Sequence, residues 1–397
     1  MKIAILSDFH LGYERFREDA YRQAEEALNK AVEMADMIII PGDIFDNRTP
    51  KPDVIAEAIN LFRNLSNKKW DSQVIDFTGE GSCYTKIPII AIPGTHERRA
   101  QEVADPVDIL GLAGLVVDIS NATVTVECEG EKIAVRGIGG IADDRFREVV
   151  EREKPIPTDG AFNIFMFHES LYELLPFNED FMRVDELPKG FDLYINGHIH
   201  KTVEMDVHGK KLLIPGSTVL TQLKEGEQDK KGFFLFDTKT SKYSFIKINS
   251  RRFVILKMDL GAASNADSVG MIQKEIDAII KSGNDLPIIR IAIEGKIPRT
   301  QSVDIEINDI PRRYAGLATV EISKREISGK SVREALASDQ VVFERMSVRD
   351  YGIGVFLEKI KASGVDIGRM SPVELLDMLG SDEPKEKVVK TALDELI

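Results

Sequence analysis

The sequence predicts an α/β architecture, and three observations carry the prediction. Short apolar runs rich in β-branched and aromatic residues, bounded by Gly or Pro, recur through the first 250 residues as buried strands do. Between the first two runs, residues 20–35 place apolar side chains at helical spacing with Glu and Lys between them, an amphipathic crossover that implies a parallel strand pair. Five of the six histidines, with several aspartates, stand directly after such runs, where a rigid scaffold usually presents its chemistry.

The elements follow in order. Lys2-Ile3-Ala4-Ile5-Leu6 leads into Asp8-Phe9-His10, and residues 37–40 lead into Gly42-Asp43-Ile44-Phe45-Asp46. Pro50 and Pro52 mark a loop, with Asp53 as the expected N-cap of a helix over 54–65. Residues 87–92 precede Gly94-Thr95-His96-Glu97. The alternating stretch 123–135, broken at Glu129-Gly130-Glu131, reads as a hairpin. Phe162 and residues 164–167 run into His168-Glu169, and residues 191–195 into Gly197-His198-Ile199-His200. Residues 211–215 and 232–236 read as further strands. The sixth histidine, His208, sits in Val207-His208-Gly209-Lys210, an expected exposed hairpin turn.

From Arg251-Arg252 the texture changes. Strands are expected at 253–260, 288–294, 303–307 and 319–322, with a helix at 267–281, giving a small α+β unit without histidine. After Ser331 the chain reads as helical and charged. A helix is expected over 347–361, another starts at Ser371-Pro372-Val373-Glu374, and a third spans 384–396 with Val388, Val389, Ala392, Leu393 and Leu396 on one side. That stripe suits either the chain's own core or a docked partner. The expected division is therefore 1–250, 251–330 and 331–397.

Composition narrows the function classes. A hydrophobic fraction of 43% and a charged fraction of 30% describe a globular chain. No apolar run approaches the roughly 18 residues of a membrane span, and Met1-Lys2 leads straight into a strand, so no membrane association and no signal peptide are expected. Two cysteines, Cys83 and Cys128, suggest a reducing cytoplasm and no disulfide framework. A formal charge of −14 argues against coating nucleic acid by bulk positive charge, though not against local phosphate contacts.

Asp and neutral His at five strand ends supply enough ligands for two divalent metals. A carboxylate shared between two cations can clamp a phosphate and offset charge on a leaving oxygen. Mixed oxygen and nitrogen ligands favour manganese, iron or zinc over calcium or magnesium. Spacing alone leaves open which residue serves which metal.

The order Asp-x-His, Gly-Asp-x-x-Asp, Gly-Asn-His-Glu/Asp, His, Gly-His-x-His resembles that of the calcineurin-like metallophosphoesterases, and here the resemblance spans roughly residues 1–220. Ser7-Asp8-Phe9-His10-Leu11-Gly12-Tyr13 and Asp105-Pro106-Val107-Asp108-Ile109-Leu110 further resemble the double-strand-break repair nucleases of the meiotic recombination eleven and SbcD type. The resemblance implies a two-sheet sandwich flanked by helices, with a small α+β capping domain and a helical C-terminal tail. It implies one metal held by Asp8, His10, Asp43 and His200. A second would be held by Asp43, Thr95, His168 and His198, with Asp43 as the bridge. His96 would position the scissile phosphate and protonate the leaving oxygen, oriented by Asp46 or, as the competing candidate, Glu97. The activity implied is manganese-dependent DNA cleavage, as a 3′–5′ exonuclease or endonuclease, in double-strand-break repair with an ABC-type coiled-coil ATPase. A homodimer through helices near 54–65 and 107–112 is also implied.

One position departs from that pattern. Thr95 stands where the family usually has Asn, and a Thr hydroxyl is a poorer, shorter ligand, so weaker or water-mediated binding is expected there. Two rival readings follow: a DNA-end-binding scaffold with impaired nuclease, and a phosphodiesterase acting on a small substrate. Arg98-Arg99, Arg251-Arg252, Arg312-Arg313 and Lys324-Arg325 are candidate phosphate contacts or solvated surface.

Overall fold

A computed structural model describes residues 1–98, 103–175, 180–224, 226–259, 265–283, 285–294 and 301–324. The chain divides into two units, Met1–Glu326 and Ile327–Ile397, and the described residues all fall in the first. The helices expected at 347–361, from Ser371 and over 384–396 lie outside the described residues, as do Arg99 and Arg325.

The first layer opens with β1 (Lys2–Ile5), α1 (Arg17–Met34) and β2 (Met37–Pro41), followed by α2 (Pro52–Ser66), β3 (Gln73–Ser82), β4 (Ile89–Ile92) and α3 (Pro106–Leu112). Strands β1, β2 and β4 run parallel, as the crossover helix required. Their alternate residues serve two cores, which is why they read as unbroken apolar runs. Ala4, Ile38, Ile40, Ile89 and Ala91 face α1, α2 and α3, while Ile3, Ile5, Ile39, Ile90 and Ile92 face inward. Helix α1 meets the sheet through Ala24, Ala27, Leu28 and Ala31, mostly small side chains that allow close approach. Helix α2 starts at Pro52, with Lys51 at its cap position and no side-chain cap bond. The expected Asp53 cap is not formed, and Asp53 instead pairs with Arg17 at 2.8 Å. Pro52 already fixes the first helical φ, so the start needs no side-chain cap.

The second layer comprises β5 (Val117–Cys128), β6 (Glu131–Ile138), α4 (Asp143–Glu153), β7 (Phe162–Phe167), β8 (Leu193–Asn196), β9 (Val203–Val207) and β10 (Lys210–Ile214). Strands β11 (Gly232–Asp237) and β12 (Lys242–Lys247) return to the edge of the first layer beside β1. The layers form one curled, hydrogen-bonded sheet of twelve strands. Its pivot is β5, whose start pairs with β4 and whose end pairs with β6. Between the layers lie Ile133, Val135, Ile164, Met166, Leu193, Ile195, Leu213 and Phe234. Phe165, Phe167, Tyr194, Leu212 and Ile214 face outward under α4. Each such buried side chain contributes roughly 1.5–3 kcal/mol. The β5–β6 hairpin turns through Glu129 (φ 51°) and Gly130 (φ 81°), and the β9–β10 hairpin through His208 (φ 50°) and Gly209 (φ 79°), both as expected. Strand β3 was not anticipated: it is a mostly exposed polar edge strand that pairs, among the described residues, only with β5.

Residues 253–324 build a second sheet of three parallel strands, β13 (Phe253–Asp259), β14 (Ile288–Glu294) and β15 (Thr319–Lys324), crossed by α5 (Asn265–Lys281) and α6 (Gln301–Arg313). The strand expected at 303–307 is part of α6 instead. Val303, Ile305 and Ile307 alternate like a strand, but Ile307, Ile310 and Tyr314 recur at helical spacing and fill this small core. Arg251 is tied to Asp19 (2.9 Å), the Thr319 hydroxyl (2.8 Å) and the Leu286 carbonyl (2.7 Å), and Arg252 to Ser282 (2.7 Å) and the Ile279 carbonyl (2.9 Å). Arg251 thus fastens the second sheet to α1, while the partners of Arg252 all lie within the second sheet's own unit.

Candidate metal centre

The motif residues lie at the carboxyl ends of β1, β2, β4, β7 and β8, where open parallel sheets bind ligands. Backbone bonds lace the first two loops together: Asp8 N–H to Gly42 O (3.2 Å), His10 N–H to Asp43 O (3.1 Å) and Leu11 N–H to Ile44 O (2.8 Å). Asp8, His10, Asp43 and His198 all adopt positive φ, between 49° and 67°. Such conformations cost a non-glycine residue about 1–3 kcal/mol and collect at functional sites.

Glu97 is the brace. Its buried carboxylate accepts the N–H groups of Asp43 (3.1 Å), Phe45 (2.8 Å) and Gly94 (2.8 Å), joining the second and third motifs. Burial, with Asp43 close by, holds its pKa well above the usual carboxylate range. Glu97 is therefore committed to the backbone and does not orient His96. The motif glycines serve close approach. A Cβ on Gly42 (φ 92°) would sit 2.3 Å from His168 Nδ1, and one on Gly94 would sit 2.3 Å from Asp43 Oδ1.

Two ligand groups result. Asp8, His10 and His200 form one, with His10 Nε2 3.1 Å from His200 Nε2, and Asp8 Oδ1 3.9 and 3.6 Å from the two rings. Asp43, His168 and His198 form the other, with His168 Nε2 3.1 Å from Asp43 Oδ2. Thr95 Oγ1 lies 3.2 Å from His198 Nδ1, so the departing residue stands beside that ring. Asp43 Oδ1 accepts the His96 N–H at 2.9 Å, which leaves Oδ2 for the pocket.

Among the described residues, the buried atoms Asp8 Oδ1 and Oδ2, Asp43 Oδ2 and His168 Nε2 find no hydrogen-bond partner. Orphaned buried acceptors of this kind are costly unless a cation satisfies them, and carboxylate oxygen with imidazole nitrogen suits divalent transition metals. The residues fit such ions. The electrostatics agree. Burial would lower the His168 pKa, but the Asp43 carboxylate beside it raises it to about 10. Burial also works against charge on Asp43, yet His168 holds that carboxyl well below its usual range. Burial, with His10 and Lys231 nearby, pushes the His200 pKa well down and keeps its ring neutral.

His96 and Asp46 sit at the rim. His96, 44% exposed, stacks edge-on against His10 with centroids 4.9 Å apart. Its Nδ1 bonds the backbone carbonyl of Asp46 at 2.9 Å and lies 3.7 Å from the Asp46 carboxylate. That carboxylate is nearer to His10 Nδ1, at 3.1 Å. With His10, these two make a third ligand grouping.

Several supporting residues carried no sequence signal. Pro41 O binds His168 Nδ1 at 2.6 Å, the Ser170 hydroxyl binds His198 Nε2 at 2.9 Å with Asp143 4.0 Å away, and Thr221 binds His200 Nδ1. None belongs to a histidine motif, and only the neighbour of Glu169 could have been suspected.

Comparison with known proteins points the same way. A family profile described as calcineurin-like phosphoesterase matches residues 1–202. The double-strand break repair protein MRE11 of Encephalitozoon cuniculi is 29% identical over 282 residues, covering 64% of this chain and 49% of that protein. The DNA double-strand break repair protein Mre11 of Methanopyrus kandleri is 27% identical over 278 residues, covering 64% and 58%. That of Sulfolobus acidocaldarius is 24% identical over 318 residues, covering 76% and 77%. The chain thus spans about half the length of the first of these relatives.

Proposed function

This chain belongs to the calcineurin-like phosphoesterase family, and from that premise we propose that it is a two-metal phosphodiesterase that cleaves DNA at double-strand breaks. The observation that carries the reading is the set of orphaned, buried ligand atoms on Asp8, Asp43 and His168, converging from three different strand ends. One cation would be held by Asp8, His10, Asp43 and His200, the other by Asp43, Thr95, His168 and His198. Manganese suits this mixed donor set. When bound, the pair supplies a polarised phosphoryl group and an acidified water.

The chain's own residues do the rest. Pro41 O takes the Nδ1 proton of His168, and the Asp46 carboxylate takes that of His10, so each ring offers Nε2 as ligand. His96 is held through Nδ1–H by the Asp46 carbonyl; with the ring doubly protonated, its Nε2–H would contact the scissile phosphate and pass its proton to the leaving oxygen, which leaves the neutral Nδ1–H ring. Asp46 fixes both rings, and its shorter contact with His10 gives it a part in metal binding too.

DNA as substrate rests on the relatives named for break repair. A long-coiled-coil ATPase of the ABC type is proposed as partner, docking on the tail 331–397. A homodimer through α2 and α3 is supported by half-buried Ile55, Ile59 and Ile109 and by Leu112, 60% exposed. No helix among the described residues is long and apolar enough to cross a membrane. The free thiols Cys83 and Cys128 suit the cytoplasm.

Thr95 favours a second reading, a DNA-end-binding scaffold with a weakened nuclease, because its hydroxyl and not an amide oxygen faces His198. Hydrolysis of bis(p-nitrophenyl) phosphate with manganese tests the reaction class. Turnover of this diester in preference to p-nitrophenyl phosphate supports the phosphodiesterase. Neither ester being turned over, with DNA ends still bound, supports the scaffold.

A further inference from the structure

His200 is gripped, on the side away from Asp8 and His10, by a buried chain of side chains that the phosphoesterase reading does not use. Its Nδ1 hydrogen-bonds the Thr221 hydroxyl. Thr221 Oγ1 in turn donates to Glu227 Oε1 at 3.4 Å, and that carboxylate oxygen is 3.8 Å from Nδ1 itself. Glu227 and Lys231 are 4% and 7% exposed. Lys231 Nζ donates to Glu227 Oε2 (2.7 Å), Ser217 Oγ (3.0 Å) and the His200 carbonyl (3.2 Å).

The direction of these bonds is forced. The Thr221 hydroxyl has a single proton and donates it to Glu227 Oε1. The hydroxyl oxygen can then only accept from His200, which places the ring proton on Nδ1 and leaves the Nε2 lone pair toward Asp8 and His10. A buried ion pair such as Glu227–Lys231 is a weak way to stabilise a fold, because desolvation offsets most of its attraction. Its place behind a histidine ligand gives it a different use.

The segment carrying Thr221 is held from both sides. The Tyr13 hydroxyl donates to the Thr221 carbonyl at 2.7 Å, and the Arg290 guanidinium of β14 donates to the Leu223 carbonyl. Val219, Leu220 and Leu223 pack in one cluster with Phe16, Phe253 and Ile288. The small second sheet therefore helps to fix the residue that fixes His200.

We propose that Thr221 and Glu227 are positioning residues for His200, setting its tautomer and ring orientation for the cation it shares with Asp8 and His10. The inference rests on the two-cation reading above. Outer partners of a ligand histidine typically change metal affinity 10–100-fold.

The test is manganese binding to the full chain, followed by the electron paramagnetic resonance signal of free Mn²⁺, for wild type, Thr221→Val, Thr221→Ala and Thr221→Ser. Thermal unfolding in EDTA monitors the fold of each. Thr221→Val keeps the shape and the Glu227–Lys231 pair, and the alanine variant covers a failure of valine to fold. The expected result is roughly 10–100-fold weaker binding of one ion with the other unchanged, and recovery in Thr221→Ser. Wild-type affinity for both ions in the valine and alanine variants overturns the inference, as does equal weakening of both ions or no recovery with serine. Failure of the wild type to bind two ions overturns the two-cation reading, and this inference with it.

Discussion

His168 Nε2 lies 3.1 Å from Asp43 Oδ2, and neither buried atom has another partner among the described residues. Asp43 raises the histidine pKa to about 10 despite burial, which favours a proton on His168 when no cation is bound. A divalent cation must displace this proton. Manganese affinity is therefore expected to rise with pH between 7 and 9, by up to about tenfold per unit for one released proton. Calorimetry in buffers of different ionisation enthalpy measures that proton directly. His168→Gln is expected to abolish the release and weaken one ion. An affinity independent of pH in the wild type would contradict the account.

Glu97 gives the second prediction. Its removal in Glu97→Ala leaves the N–H groups of Asp43, Phe45 and Gly94 unpaired, at about 1–3 kcal/mol each. Urea denaturation is expected to show a loss of about 3 kcal/mol or more, with a smaller loss for Glu97→Gln, which keeps one acceptor. A loss under about 1 kcal/mol would mean that the three loops hold without the brace.

Thr95 tests the proposed ligand that departs from the family pattern. Thr95→Asn supplies the longer amide oxygen beside His198, and is expected to tighten one manganese ion by roughly tenfold, or about 1.4 kcal/mol. Equilibrium dialysis reads the change. Unaltered binding of both ions would show that the hydroxyl already suffices.

Asp118, wholly buried, lies outside the site. Burial, with Asp105 and Asp108 nearby, pushes its pKa to about 8. The folded chain thus keeps a proton that the unfolded chain gives up near pH 4. Its contribution to stability is full below that point and is lost as pH rises through 8, by up to about 1.4 kcal/mol per unit. Asp118→Asn keeps the acceptor for Ser120 and is expected to raise Tm over wild type more at pH 8.5 than at pH 5. Equal gains at both pH values would remove the buried charge as the cause.

Much of this was legible in the sequence because the strands that carry the ligands are buried on both faces. Ile38 and Ile40 face α1 and α2 while Ile39 faces the inner core, so the run before Asp43 has no polar break. The strand end, and the residues just past it, are then easy to locate. Strand β3 was hidden for the opposite reason, as a polar edge with little to bury. Residues 303–307 misled because a period of two and a helical stripe coincide at Ile307. The partners behind the ligands were invisible because only folding brings them near. Thr221 and Glu227 reach His200 from a segment with no motif of its own, and the Asp46 carboxylate proves closer to His10 than to His96.

The central claim, a two-metal nuclease with His96 as its proton donor, is tested most directly with end-labelled duplex DNA. Wild type and His96→Gln are compared in manganese, in magnesium and in EDTA. The account predicts loss of label by wild type in manganese, none in EDTA, and a rate lower by roughly 10²–10⁴-fold in His96→Gln with both ions still bound. Intact DNA after incubation with wild-type protein carrying two manganese ions would contradict it, as would equal cleavage by the His96→Gln variant.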